Sequence, residues 1–520
     1  MTSIFSMRPR LKFELDLEHL PTDVELLHTL IRDFAAAYDR LAHQMLEARR
    51  RQYGRKAETI SEAQLGLFEK QIADRLAALP DLPPKPEVKK DPPKRHGRRI
   101  PAANLPTVHE HFDLPEGERF CPGCHAGLKM IGPESRRVLD VIPPKYFVRV
   151  QTRNKWACPD CGEGVVTVAF PELPVPKGLA TASLLAHVVT NKFTDHQPLY
   201  RQSMIFGRHG LDISRSTLDD WVAETAYLLE PLHALMKEMV LASKVIHSDD
   251  TVIAVLEGGK RRSRPVKKKA RIGRFWTWVG DGDHPYTVFT YSPSRKQEWP
   301  VQFLKGWKGY LQADAYPGYH PLYKSGVKEV ACNAHARRKF DECLILEPEK
   351  AGAALAYYSR LYEIEARYRG RPPEEIAAAR QMYSAPLMAD FRNWLELQAA
   401  MALPKSAWAK ALGYALRHWQ GLTAYLEDGC LKIDNNAAEN ALRPIALGRK
   451  NYLFVGSDEG GYRAAILYSI IVSCKRHGIE PFDYLKDVLG KIGNWPARRL
   501  GELLPHVWKA ERQEGGPLAA

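Results

Sequence analysis

The sequence predicts a multidomain α+β protein. Three observations carry that reading: a length beyond any single core, two widely separated Cys-Pro-x-Cys pairs, and a change from helical to strand texture near Lys244. The chain has 520 residues, so three or four domains are expected. Lysine and arginine outnumber aspartate and glutamate by 75 to 61, and a formal charge of +14 suits a polyanionic partner. The opening MTSIFSMRPRLKF has no signal-peptide core, and the longest apolar run, Ala464 to Cys474, is too short to span a bilayer. A cytoplasmic protein with no membrane partner is expected.

Residues 1–79 read as helical. Thr22 and Glu25 form a capping box, and Leu27, Ile31, Phe34, Tyr38, Leu41, Met45 and Ala48 then recur at spacings of four and three. That is a coiled-coil seam joining copies into a homodimer or higher oligomer, or else one amphipathic helix packed on its own protein. Residues 80–115 form a basic Pro-rich linker: eight prolines and seven Lys or Arg between Pro80 and Pro106 cannot bury a core.

Residues 116–172 read as a zinc-binding ribbon. Cys121-Pro-Gly-Cys124 and Cys158-Pro-Asp-Cys161 each place two thiolates on a tight turn, and two such turns complete a tetrahedral site for structural Zn2+. Four thiolates leave no coordination position open for chemistry. Strands are expected at Tyr146–Arg153 and Val165–Phe170. The other cysteines, Cys332, Cys343, Cys430 and Cys474, are too scattered for a disulfide framework.

Residues 173–232 suggest a helix-turn-helix region, with helices over Thr181–Lys192 and Pro198–Arg208 and a turn at His209–Asp212. A third helix is N-capped by Ser214 and buries Leu218, Trp221 and Val222. Arg215, Ser216, Thr217 and Asp219 are then left to face a DNA groove. A plain three-helix bundle fits the same pattern.

Residues 233–456 carry the acidic constellation. Strands at Val245–Leu256, Phe275–Val279 and Tyr286–Tyr291, a helix over Gln297–Trp307 and a strand ending at Asp314 match the start of an RNase H-like α/β catalytic core. A long helical insertion is expected over about 341–428, and a C-terminal helical region over 457–520. On the first strand His247, Asp249 and Thr251 share one face while Asp250 takes the other. Glu439 opens a helix that Asp434 or the neighbouring asparagines can cap, with Arg443 one turn along. Each carboxylate alone is one of 61. Together, Asp249, Asp314 and Glu439 are hard oxygen ligands suited to hold two Mg2+ (or Mn2+) ions for phosphoryl transfer. Lys260 to Arg274 holds nine Lys or Arg and no acid, and Lys267, Lys268 and Lys269 are expected to meet phosphates.

At these residues the chain resembles the insertion-sequence-66 family of transposases, within the DDE group. The likeness rests on Tyr53-Gly-Arg-Lys, the cysteine pairs, Pro198-Leu-Tyr-Arg201, His247-Ser-Asp-Asp-Thr251, Tyr310-Leu-Gln-Ala-Asp314, Cys332-Asn-Ala-His335-Ala-Arg-Arg-Lys-Phe340, Asp434-Asn-Asn-Ala-Ala-Glu439, Gly448 to Gly456 and Pro481-Phe-Asp-Tyr-Leu485. It implies a DNA transposase with Asp249, Asp314 and Glu439 as its triad, acting at the element's terminal inverted repeats and on target DNA. A nucleoid-associated bacterial protein, at times with accessory proteins of the same element, is implied with it. Where the family reads Asp-Glu-Thr, this chain has Asp249-Asp250-Thr251. His335, three residues after Cys332, reads as an active-site neighbour or a packed core residue. Two rival readings are a zinc-ribbon and helix-turn-helix regulator, and an RNase H-like nuclease that cuts without joining.

Overall fold

The structure is a computed structural model that describes residues 23–25, 27–29, 32, 41, 82, 122–123, 125–127, 129, 145–157, 165–175, 178–256 and 270–514. The expected coiled-coil seam apart from Leu27 and Leu41, nearly all of the linker, the four paired cysteines and Lys267 to Lys269 lie outside the described residues. Two compact units divide the chain, one spanning 84–171 and the other made of 1–83 with 172–520.

In the smaller unit β1 (Lys155–Ala157) pairs antiparallel with β2 (Val165–Thr167), placing Trp156 opposite Val166. Arg153 donates to the Val168 carbonyl at 3.2 Å and lies over the Phe170 ring. The strand expected at Tyr146–Arg153 is not formed: this stretch has no regular secondary structure and no partner strand among the described residues, and Phe147, Val148 and Val150 are exposed.

The larger unit begins with α1 (Ala182–Phe193), α2 (Leu199–Arg208) and α3 (Arg215–Leu241). Thr181 and Ser214 cap α1 and α3 through their hydroxyls, so both helices start where the sequence places them. α3 then runs for 27 residues, past Pro231, because its buried stripe of Leu218, Trp221 and Val222 continues through Leu229, Leu232, Met236 and Val240. The expected boundary at 232–233 thus falls inside one helix. His233 on that helix bonds the Phe289 carbonyl at 3.0 Å, and Phe193 of α1 meets Tyr468 edge-on. These contacts join the helices to the α/β core.

Alternating residues then build the sheet: β3 (Val245–Leu256), β4 (Ala270–Val279), β5 (Thr287–Ser292), β6 (Tyr310–Ala313) and β7 (Lys328–Ala331). Their order is β5-β4-β3-β6-β7, antiparallel through β5, β4 and β3 and parallel from β3 through β6 to β7, which is the RNase H-like arrangement. A short β8 (Phe454–Val455) joins β3 in parallel further along, opposite Ala254 and Val255. The helix after β5, α4 (Glu298–Phe303), is shorter than expected, and the chain turns at Gly306, whose φ of +81° favours glycine.

Both faces of the sheet are covered. On one, Trp276 and Trp278 lie beneath Phe303, Tyr316 and Tyr319, with Trp278 stacked on Phe303 at 4.1 Å. On the other lies α13 (Asp458–Arg476), whose Tyr468 ring meets Phe275 and Phe289 edge-on. Its Ser469 and Ser473 hydroxyls accept from the Phe289 and Thr287 amides, groups that an edge strand would otherwise leave unpaired. The C-terminal region is therefore part of the core layer.

After α5 (His320–Lys324) and β7, the helices α6 (Asn333–Asp341), α7 (Pro348–Arg367), α8 (Pro373–Ala379), α9 (Ala385–Met401), α10 (Ala407–Arg417) and α11 (Trp419–Thr423) form the insertion. They close on a cluster containing Phe340, Tyr357, Tyr358, Phe391, Trp394, Trp408 and Trp419, which is continuous with Val330 and Ala331 of the sheet edge. The chain returns to open α12 (Asn436–Tyr452), and α14 (Pro481–Leu489) and α15 (Pro505–Glu514) complete it. No helix among the described residues is long and apolar enough to cross a membrane.

Candidate active site

Asp249 lies in the middle of β3, Asp314 directly follows β6, and Glu439 stands in the first turn of α12. Their proximity shows in their ionisation. Burial above all, and then the Asp314, Asp250 and Glu439 carboxylates, push the Asp249 carboxyl up to about 7, against the pull of a hydrogen bond from the Asp250 amide. Asp314 is likewise raised, first by burial and then by Asp250, with Arg295 and His335 opposing. Such a cluster is one that a divalent cation would relieve.

Buried polar side chains bring Glu439 to this place. Gln312 of β6 donates to the Lys432 and Asp434 carbonyls and accepts from the Lys432 amide at 3.2 Å, so the returning chain is zipped to the sheet. Among the described residues Asn333 accepts nothing through its side-chain oxygen but donates to the Leu422 carbonyl, and its backbone amide donates to the Ile433 carbonyl. Asn435, at the N-cap of α12, does not cap with its side chain. It instead bonds His247 Nδ1 at 3.1 Å, donates to the Ser248 carbonyl at 2.8 Å, and gives its amide to Cys332 Sγ at 3.2 Å. Asp434 does the capping, accepting from the Asn436 amide. Arg380, 2% exposed, forms a two-pronged pair with Glu365 and donates to the Tyr425, Asp428 and Leu431 carbonyls.

His335 Nδ1 lies 3.7 Å from Glu439 Oε1, too far for a hydrogen bond, and both atoms are buried without a partner among the described residues. Cys332, His335 and Glu439 each offer a ligand atom within 4.8 Å of the others. A thiol is a poor ligand for a hard cation, and burial pushes that of Cys332 up to about 11. The orphaned Glu439 oxygen is a hard ligand in that group, and neither Asp249 nor Asp314 lies within the same 4.8 Å set. Arg443 is exposed on α12, one turn beyond Glu439.

Asp250 departs from a spare neighbour. Its carboxylate, 2% exposed, accepts from Arg274 Nη1 at 2.6 Å and from Arg295 Nε at 2.9 Å. Arg274, within the expected basic insertion, belongs to β4, and so does Arg271, which pairs with Asp458. Sequence reading missed Arg295, Gln312 and Asn435. Arg295 had no local signal, but Gln312 and Asn435 sit inside the two motifs that flank the acidic residues.

Arg215 and Ser216 are exposed at the start of α3, while the Ser216 and Thr217 hydroxyls both meet Ser214 Oγ. They are not brought to the acidic cluster.

Residues 177–463 match the family described as Transposase IS66 family, and 469–506 match the IS66 C-terminal element. Residues 118–162 match the zinc-finger binding domain of transposase IS66, and 40–109 match Transposase C of IS166 homeodomain. Among curated relatives, the uncharacterized protein y4jD of Sinorhizobium fredii is 32% identical over 95% of this chain and 98% of its own length. From the same organism, y4hP is 36% identical over 74% of this chain and 72% of its own. With an RNase H-like sheet, an acidic cluster at its centre and family matches along most of its length, the chain belongs to the IS66 family of transposases and is a DDE-type DNA transposase.

Proposed function

We propose that Asp249, Asp314 and Glu439 are the catalytic triad, and that they cleave the ends of an insertion sequence at its terminal inverted repeats and join them to target DNA. The observation that carries this is the placement of Asp249 within β3, Asp314 directly after β6 and Glu439 in the first turn of α12, with the half-buried Asp249 carboxyl pushed up to about 7 by burial first and by the neighbouring carboxylates second. Mg2+ or Mn2+ held by these oxygens would activate the attacking water or 3′-hydroxyl and stabilise the leaving oxygen. The protein's own part is positioning. Asn435 ties the start of α12 to β3, Gln312 fixes the chain leading to it, and His335 stands beside Glu439. Asp249 is half-buried, and its partial removal from water strengthens charge interactions there.

Replacing any one of the three by alanine is expected to abolish cleavage and joining together while end binding survives. A strand-transfer assay with pre-cleaved ends and Mn2+, run beside a gel-shift assay, checks this, and an active Asp249→Ala protein would refute it. Cutting without joining by wild type would favour the nuclease reading.

The remaining assignments are part of the same proposal. Cys121, Cys124, Cys158 and Cys161 hold structural Zn2+, so Cys158→Ser protein should carry less zinc by elemental analysis. Arg215, with Ser216 and Thr217, reads the repeat, and Lys267, Lys268 and Lys269 contact phosphates. Arg215→Ala should therefore narrow the preference for element ends over random duplex, whereas neutralising the lysines should flatten the salt dependence on both. The N-terminal seam pairs copies as a dimer or higher oligomer, measurable by light scattering.

A further inference from the structure

Between β5 and α4, Arg295 extends from a segment that is braced on both sides. Ser292 Oγ donates to the Ser294 carbonyl at 2.7 Å, and Trp299 Nε1 donates to Ser294 Oγ at 3.1 Å. The Arg295 guanidinium lies 4.1 Å from the centre of the Tyr316 ring, whose hydroxyl bonds the Arg295 carbonyl. Tyr316 also gives its amide to Asp314 Oδ1 at 3.3 Å, so one tyrosine sets the place of both partners.

The guanidinium is held unequally. Nε and Nη2 stand 2.9 and 2.8 Å from Asp250 Oδ1, whereas Nη2 stands 3.5 Å from Asp314 Oδ2. The second distance is beyond a good hydrogen bond. Nη1 makes no hydrogen bond among the described residues, and the side chain is 38% exposed. Asp250, with both oxygens taken by arginines, has none to spare for a metal. One side of the fork is anchored and the other is loose, beside the acidic cluster.

We propose, resting on the phosphoryl-transfer reading above, that Arg295 is a tethered phosphate arm: it competes with a divalent ion for Asp314, and binds a DNA phosphate once Asp314 is engaged. Asp250 is the tether. A guanidinium suits the second task because its planar donors match two phosphate oxygens at once. It suits the first because a fixed positive charge beside a carboxylate weakens the hold of that carboxylate on another cation.

The two roles give opposite signs in one variant. In full-length Arg295→Gln, Mn2+ binding without DNA, read from the free-ion electron paramagnetic resonance signal, should tighten about tenfold. Strand transfer of pre-cleaved ends at saturating Mn2+ should slow by about tenfold or more. Arg295→Lys keeps the charge and loses the fork, so its Mn2+ affinity should stay near wild type while transfer still slows. Asp250→Asn frees the arm towards Asp314 and should weaken Mn2+ binding. A merely structural ion pair would instead leave Mn2+ binding unchanged or weaken it in all three variants, and that result overturns the proposal. So does Arg295→Gln protein that joins ends at the wild-type rate. Wild-type protein that neither binds Mn2+ nor joins ends overturns the phosphoryl-transfer reading and the arm with it, whereas an active wild type beside an unaltered Arg295→Gln overturns the arm alone.

Discussion

From Phe340 to Trp419 the insertion is held by rings packed on rings, whereas from Tyr425 to Asn435 the returning chain adds to its own apolar anchors, Tyr425, Leu426, Leu431 and Ile433, a set of side-chain amides and one guanidinium. Tyr357 stacks on Phe391 at 4.5 Å, and Phe391 touches Phe340, Tyr358, Trp394 and Trp419 as well. Arg380 and Gln312 meanwhile donate to carbonyls of the return, Asn333 gives its backbone amide to the Ile433 carbonyl, and Asn435 within the return donates to the Ser248 carbonyl of β3. Apolar contact is strong but weakly directional, so it gives the insertion its cohesion. Hydrogen bonds contribute less each, but they fix direction, so they set where Glu439 arrives.

This difference can be broken by mutation. Phe391→Ala should cost about 3–5 kcal/mol by leaving a cavity. Each molecule that remains folded at low temperature should still join ends at close to the wild-type rate. Arg380→Ala strands Glu365 in a half-buried site and should cost about 3 kcal/mol, toward the lower end for a broken buried pair. It should also depress joining, since three carbonyls of the return lose their donor. Asn435→Ala should cost only about 1–3 kcal/mol yet slow joining more than Phe391→Ala does. Urea unfolding measured beside strand transfer per folded molecule gives the ranking. If Phe391→Ala loses as much joining per folded molecule as Asn435→Ala, the division between cohesion and placement is mistaken.

Legibility in the sequence divides along the same line. Thr181 and Ser214 announced two helix starts because a hydroxyl cap is a local signal. Alternation exposed β3 and assigned Asp249 and Asp250 to opposite faces, and a long helical insertion was legible over about 341–428. The start of β4 was hidden because Ala270 to Arg274 reads as the end of a basic run. Only the fold shows that Arg271 and Arg274 have acidic partners on other segments. Gln312 and Asn435 were hidden for a related reason: a polar residue satisfied in the interior looks, along the chain, like any surface residue. Arg295 reaches Asp250 across 45 positions, a separation no local pattern reports.

The insertion also has a consequence in time. Asp249 is made long before Glu439, and the α13 serines that cover the β5 edge are made later still. At elongation rates of about 5–20 residues per second, the interval from β3 to the end of α13 is roughly ten to fifty seconds. Between the synthesis of Asp314 and that of Glu439 the emerging protein carries two of the three acids, and the β5 edge stays uncovered until α13 has followed. The proposed triad is thus incomplete until Glu439 has been made.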